Sequence, residues 1–133
     1  MKPTALILAL SALTASMALA ACHKEVKAPD TPGVCYQAVP RANGTITFNQ
    51  LTAHEDTMEG CAGSLEGMRQ RFLGLGGSVH SIMGAYNGQY LFLDPSGVYE
   101  SQSYTGMRFP FLVHTDDGRL ASPGAAQQQP QQQ

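Results

Sequence analysis

Two cysteines, Cys35 and Cys61, are the residues of this 133-residue chain whose type most directly suggests chemistry. They form no C-x-x-C motif, the spacing that a thioredoxin-like redox site uses. The third cysteine, Cys22, is considered below with the start of the chain. In an oxidising compartment the remaining pair favours one structural disulfide, with two buried free thiols, or catalytic or metal-binding cysteines, as the alternatives. A Cys35–Cys61 bond would tie the start of the domain to a helix, and chain entropy assigns such a loop about 3.6 kcal/mol of stabilisation.

Catalysis by the other nucleophiles and bases is not predicted. His54 would share a helix face with Cys61 but lie about 10.5 Å from it along the axis, too far for a base to take the thiol proton. Ser64 and Ser96 stand next to glycines but lack the G-x-S-x-G context of a hydrolase elbow. We therefore expect that the chain is not an enzyme.

The histidines raise the question of a metal site: they are His23, His54, His80 and His114. Two of them could bind zinc together with Glu55 or Asp56, but no pair has helical or finger-like spacing. We expect surface or half-buried histidines, and we predict neither a metal nor another cofactor.

One helix is the clearest element of the sequence. Side chains at steps of three and four form an apolar stripe along it: His54, Met58, Cys61, Leu65, Met68 and Phe72. Thr52 and Glu55 fit a capping box at its start. Gly74, Gly76 and Gly77 are expected to end it.

Strands are predicted on both sides of this helix. Thr45–Gln50 precedes it, and four more strands follow, with turns at Asn87-Gly88 and Asp94–Gly97: Ser78–Tyr86, Gln89–Asp94, Val98–Tyr104 and Arg108–Thr115. The order β-α-β-β-β-β predicts an α+β fold, a small antiparallel sheet of four to five strands with one packed helix. Pro110 removes a ladder donor, which places the last strand at an edge or a bulge. This order is similar to that of the cystatin-type roll, a resemblance of topology that implies no function.

Three glycines lie on the side of the predicted helix opposite Met58 and Leu65. Gly60, Gly63 and Gly67 each cost about 1 kcal/mol relative to alanine in a helix interior, and packing on the sheet does not explain them. Either the helix is shorter or kinked, or another backbone approaches this bare face. We assign the glycines to a partner contact.

Aromatic side chains suggest that one face of the sheet, like the glycine side of the helix, could contact a partner. Strand 89–94 places Tyr90 and Phe92 on one face and Leu91 and Leu93 on the other. Because one helix covers one sheet face, the second must be covered by loops, closed by curvature, or offered to a partner. We predict that Tyr90 and Phe92 contribute to partner binding.

The start of the chain suggests its location. Residues 1–21 have the positive, apolar and small-residue regions of a secretory signal, and Leu19-Ala20-Ala21-Cys22 resembles the lipobox of bacterial lipoproteins. The resemblance implies cleavage before Cys22, a diacylglycerol on its sulfur, and membrane anchoring by several acyl chains. His23 stands where aspartate favours inner-membrane retention in enterobacterial lipoproteins, which implies the outer membrane facing the periplasm. An ordinary cleaved signal is the alternative.

The remaining chain divides into a flexible tether over 22–33, a single α+β domain over 34–120, and a disordered Gln-rich tail over 121–133. Lys plus Arg total 8 and Asp plus Glu total 10, a near-balance that argues against a nucleic-acid partner. We expect a non-catalytic binding or accessory module for an envelope protein or polymer, or a homodimer. The alternative is an inhibitor of a lysozyme-like or protease-like hydrolase, with the 94–97 turn entering the active site.

Overall fold

The structure is a computed structural model that describes residues 24–126. The elements follow the order β1 (Cys35–Pro40), β2 (Ile46–Thr52), α1 (Met58–Gly74), β3 (Ile82–Tyr86), β4 (Gln89–Asp94), β5 (Gly97–Ser101), β6 (Phe109–His114), β7 (Leu120–Ala121) and α2 (Pro123–Ala126). The strands form one antiparallel sheet in the order β2-β1-β3-β4-β5-β6-β7. The α+β class is confirmed, but four to five strands were predicted and seven are observed. The signal, Cys22 and the glutamines after 126 lie outside the described residues.

β1 and β7 are the strands that the predicted order lacks. β1 occupies an inner position of the sheet, where Ala38 pairs with Phe48 of β2 and with Met83 of β3. β7 has only two residues and pairs with the end of β6. Two strands therefore precede the helix, so the order shared with the cystatin-type roll is not the observed one. Regular structure also continues past Leu120, the predicted end of the domain.

Helix α1 begins later than the capping box predicted at Thr52. Thr52 pairs with Cys35 in the sheet, so strand pairing takes this residue away from the helix. Thr57 is the N-cap instead, and its hydroxyl accepts a hydrogen bond from the amide of Gly60 at 3.0 Å. The helix ends at Gly74, within the predicted glycine cluster.

α1 packs on one face of the sheet through Cys61 and Leu65, both fully buried. They contact side chains from the strands beneath: Cys35, Tyr86, Leu91, Leu93, Val98 and Leu112. Gly84 of β3 permits this approach, because a Cβ there would collide with Leu65 and would lie 2.8 Å from the carbonyl oxygen of Tyr36. The ends of the predicted stripe differ, since His54 lies outside the helix and Phe72 is 47% exposed.

The opposite face of the sheet is covered by the chain that precedes β1. The hydroxyl of Tyr90 donates to the carbonyl of Val26 at 2.7 Å, and the amide of Gly88 donates to the carbonyl of Pro29 at 2.8 Å. Ala28 is buried between these contacts. The stretch from Val26 to β1 was predicted as part of a flexible tether, but here it is bound to the sheet.

An aromatic cluster lies beneath this segment. The ring centroid of Tyr90 is 6.1 Å from that of Phe48, 6.3 Å from that of Phe92 and 6.1 Å from that of Tyr104. Separations of this size are typical of favourable aromatic pairs. The sheet therefore has two apolar layers, one under the helix and one under the N-terminal segment.

Pro110 lies beside a bulge in β6. Val98 of β5 pairs with Leu112, and the next residue, Tyr99, pairs with Pro110, so Phe111 is the extra residue. β7 pairs only with the last two residues of β6. The strand around Pro110 therefore has one neighbour, and the predicted bulge is confirmed, but the edge strand of the sheet is β7 and not β6.

Cys35 and Cys61 form the predicted disulfide, with their Cα atoms 5.3 Å apart. Both residues are fully buried. The bond fixes the first residue of β1 to the first turn of α1, across a sequence separation of 26. It therefore joins the sheet to the helix in the core.

The double variant Cys35→Ala/Cys61→Ala should lower the free energy of unfolding by about 3.6 kcal/mol, because the unfolded chain regains the entropy of the open loop. Urea denaturation of the variant and the wild type measures this difference. A loss below about 1 kcal/mol would contradict the stabilising role given to the disulfide.

Candidate functional site

Glu66 lies at the centre of a buried polar cluster between α1 and the sheet. Its carboxylate accepts hydrogen bonds from Arg69 at 2.7 and 2.8 Å and from Gln70 at 2.8 Å. Nε2 of His114 in β6 lies 3.0 Å from the same carboxylate. Arg69 also donates to the carbonyl of His80 at 3.0 Å. The cluster thus joins the helix to β6 and to the chain that leads into β3.

The charges in this cluster are set by its hydrogen bonds. Burial raises the pKa of Glu66, but the hydrogen bonds from Arg69, Gln70 and His114 outweigh burial and lower that pKa to about 2. The hydrogen bond to Glu66 raises the pKa of Arg69, although burial opposes the change. The two side chains therefore form a buried ion pair at neutral pH.

His114 faces a second acceptor, because its Nδ1 lies 3.1 Å from the carbonyl oxygen of Pro95. These two contacts hold the imidazole between the turn after β4 and the helix. Since both oxygens of the Glu66 carboxylate are already engaged, the cluster offers no free base, and we assign it a structural role.

Sequence reasoning missed this cluster. Glu66 and Arg69 stand at i and i+3, a spacing at which helical side chains pair, and Glu66 directly follows the buried Leu65. That spacing was the available signal for the ion pair. The contributions of His114 and His80 come from distant parts of the chain, so no local pattern predicts them.

A cleft opens at the end of the sheet where β1 separates from β3. The pairing of β1 with β3 stops at Ala38, while Val39 and Pro40 pair with β2 alone. A cleft of about 370 Å³ occupies the gap. A second cleft of about 220 Å³ adjoins it on the helix side and shares three lining residues with it: Gln37, Val79 and Ile82. We call these two clefts together the end cleft.

Apolar side chains are exposed at the end cleft. Phe72 and Val79 line it and are 47% and 50% exposed, and Leu75, just after α1, is 89% exposed. Asp94 and Arg108 line the other side. The Arg108 guanidinium lies 3.7 Å from the centroid of the Phe92 ring, within cation–π range. The end cleft is therefore an apolar groove lined by one acid, Asp94, and by two basic side chains, Arg108 and the Glu66-bound Arg69.

The glycines predicted to contact a partner lie elsewhere. Gly63 and Gly67 line a separate groove of about 510 Å³ between α1 and β7. A Cβ at Gly63 would meet nothing within 4 Å, whereas one at Gly60 would lie 2.5 Å from the carboxylate of Glu55. The Glu55 carboxylate is the end of a flexible side chain that can move aside, so this contact alone does not account for Gly60, while Gly63 and Gly67 line the open groove.

Tyr90 and Phe92 do not form the exposed surface predicted for them. Tyr90 is 0% exposed and Phe92 is 5% exposed. Val26, Tyr104 and Arg108 contact them from above the sheet. The alternative in which loops cover the second face is the observed one, and the structure brings neither side chain to the glycine groove.

Two further candidates can be placed. The turn after β4 is tight, because Asp94 pairs with Gly97 and its carboxylate accepts a hydrogen bond from the amide of Ser96 at 2.7 Å. Pro95 and Ser96 form the exposed tip of this turn. Within 24–126, no three His, Cys, Asp or Glu side chains are grouped to bind a metal ion.

Comparisons of the chain with protein-family models, curated proteins and solved structures found no match. No helix in the described part of the chain is long and apolar enough to cross a membrane. Function must therefore be inferred from the geometry.

The Glu66 cluster gives stability a specific pH dependence. The pKa of Glu66 in the folded state is lowered from its usual 4.5 to about 2, so its contribution is complete above pH 4.5 and is lost as the pH falls toward 2. We expect Glu66→Gln to cost about 3 kcal/mol at pH 7 and the deficit to shrink across this window. Urea denaturation at successive pH values measures it.

Glu59→Gln is the matched control, because Glu59 is exposed on the same helix. Its stability curve should follow the wild type. If the curve of Glu66→Gln stays parallel to the wild type from pH 7 to pH 2, the charge assignment in the cluster is contradicted.

Proposed function

We propose that this chain is a lipid-anchored, non-catalytic binding module of the bacterial cell envelope. In this proposal the lipid is attached to Cys22, and the partner is an envelope protein that inserts an extended apolar segment into the end cleft. The single observation that carries the binding role is this open apolar cleft with exposed side chains at its border.

Exposed apolar surface supports binding at the end cleft. Phe72, Leu75 and Val79 are large apolar residues that remain in contact with water along one part of the surface. Contiguous exposure of this kind is typical of interaction sites. Full burial of one such side chain contributes about 1.5–3 kcal/mol, so a partner that covers the three gains substantial affinity.

The strand edge at the end cleft supports recognition through side chains. Val39 and Pro40 have no pairing partner in β3. Pro40 has no amide hydrogen to donate, which limits the addition of a partner strand by backbone hydrogen bonds. An extended segment that places its side chains in the gap fits both the lining and the shape of the cleft.

The charged border of the end cleft supplies orientation. Burial raises the pKa of Asp94, but hydrogen bonds from Ser96 and Gly97 outweigh burial and lower the pKa below its usual value. The carboxylate therefore stays charged. Arg108 provides the opposite charge on the same side. Two fixed charges of opposite sign favour one direction of an inserted segment.

The position of the end cleft agrees with a membrane anchor. β3 runs from Ile82, which lines the cleft, to Tyr86, which lies next to the turn bound by the N-terminal segment. The cleft and that segment thus lie at opposite ends of the sheet. An anchor that precedes Lys24 leaves the cleft facing away from the lipid. Placement in the outer membrane rests on the lipobox and on His23.

Val79→Glu should abolish partner binding without unfolding the domain, because Val79 is half exposed and the new carboxylate must lose water inside an apolar cleft. A photo-crosslinking amino acid at Ser81, which also lines the cleft, reports binding in intact cells. We expect one adduct in the wild-type background and none with Val79→Glu. Circular dichroism checks the fold.

Asn49→Glu on β2 is the matched control, because Asn49 is exposed and outside the end cleft. This variant should keep the adduct. An adduct of twice the chain's mass would identify a second copy as the occupant and contradict an envelope-protein partner. The same adduct with and without Val79→Glu, or no adduct at Ser81, would contradict the end cleft as the binding site.

A further inference from the structure

An exposed apolar loop lies beside the point where the N-terminal segment meets the sheet. This loop, residues 105–109, is tied to that segment because the hydroxyl of Thr105 donates to the carboxylate of Glu25 at 3.3 Å. Met107 is 74% exposed and Phe109 is 53% exposed. They are two of the most exposed large apolar residues in the described chain, and neither lines the end cleft, although Arg108 between them does.

The length of chain before Glu25 limits where a lipid on Cys22 can be. Cys22 precedes Glu25 by three residues in the sequence, and such a stretch spans at most about 11 Å when fully extended. The contacts of Val26 and Glu25 with Tyr90 and Thr105 prevent the following chain from adding to this reach. The lipid attachment point therefore lies close to loop 105–109.

We propose that loop 105–109 rests on the lipid bilayer, with Met107 and Phe109 entering the boundary between headgroups and acyl chains. This proposal depends on the lipid anchor of the proposed function. Apolar side chains next to basic ones are typical of surfaces that lie in this boundary, and Arg108 stands between Met107 and Phe109 in the sequence. A positive charge at this position attracts anionic headgroups.

The short stretch of chain between Cys22 and Glu25 is the reason why we propose a lipid bilayer, and not a protein, as the partner of loop 105–109. A domain whose sheet is fixed to residues 25 and 26 presents the same side to the membrane throughout its lifetime. Met107 and Phe109 follow Thr105, the residue that contacts this segment, whereas Phe72 and Val79 line the end cleft.

Tryptophan fluorescence tests this orientation directly, because the chain contains no tryptophan. Met107→Trp places a single indole in the loop, and Phe109→Trp is a second reporter in case the first disturbs the loop. Leu75→Trp is the matched control, because Leu75 is an even more exposed apolar site and lies at the end of α1, outside the loop. Each full-length protein is produced in bacteria that lipidate it and is reconstituted into phosphatidylethanolamine–phosphatidylglycerol vesicles with or without brominated lipid.

We expect Trp emission from the 107 and 109 positions to shift to the blue in vesicles and to lose most of its intensity with brominated lipid. Emission from a tryptophan at position 75 should neither shift to the blue in vesicles nor lose intensity with brominated lipid. Protein that floats with the vesicles but shows no quenching at 107 and 109, or equal quenching at 75, overturns the lipid-facing loop and leaves the anchor in place. Protein that does not float with the vesicles overturns the anchor, and the lipid-facing loop with it.

Discussion

The buried carboxylate of Glu66 is the constraint on which the geometry of the end cleft depends. The carboxylate accepts hydrogen bonds from Arg69, and Arg69 also donates a hydrogen bond to the carbonyl oxygen of His80. That carbonyl belongs to the segment that forms one wall of the end cleft, next to Val79. A buried ion pair of this kind contributes little net stability compared with apolar packing, but removal of one partner is costly. Here the ion pair fixes the position of the short irregular segment that contains His80, which has no strand partner.

The other end of the sheet is organised by the chain before β1. Its backbone carbonyls bind Tyr90 and Gly88, so the residues that follow the proposed anchor also complete the core. Loss of this segment would therefore expose the aromatic cluster. Under the proposed lipid anchor on Cys22, the same segment would orient the domain relative to the membrane.

Local signals predicted part of this fold well. The Cys35–Cys61 bond, the glycines that end α1, the turn at Asn87-Gly88 and the irregularity at Pro110 each follow from chemistry within a few residues or from cysteine count. The start of the helix was predicted at the wrong residue because an interaction with a distant part of the chain decided it. Pairing of Thr52 with Cys35 is a non-local interaction, and it outweighed a capping pattern that was locally sound.

The candidate site was predicted less well, for the same reason. Alternation in β4 correctly indicated two apolar faces, but the cover over Tyr90 comes from Val26, far away in the sequence. The end cleft arises because β1 pairs with two strands over different lengths, which no single strand pattern reveals. The prediction that Tyr90 and Phe92 form an exposed surface on the second face of the sheet was therefore wrong.

The measurement that tests the central claim most directly is the mass of the N-terminal tryptic peptide from the membrane fraction of cells that make this protein. The account predicts that this peptide is Cys22-His23-Lys24, carrying a diacylglycerol on the cysteine sulfur. An N-terminus at another residue, or an unmodified Cys22, would contradict the lipid anchor and with it the proposed orientation of the domain relative to the membrane.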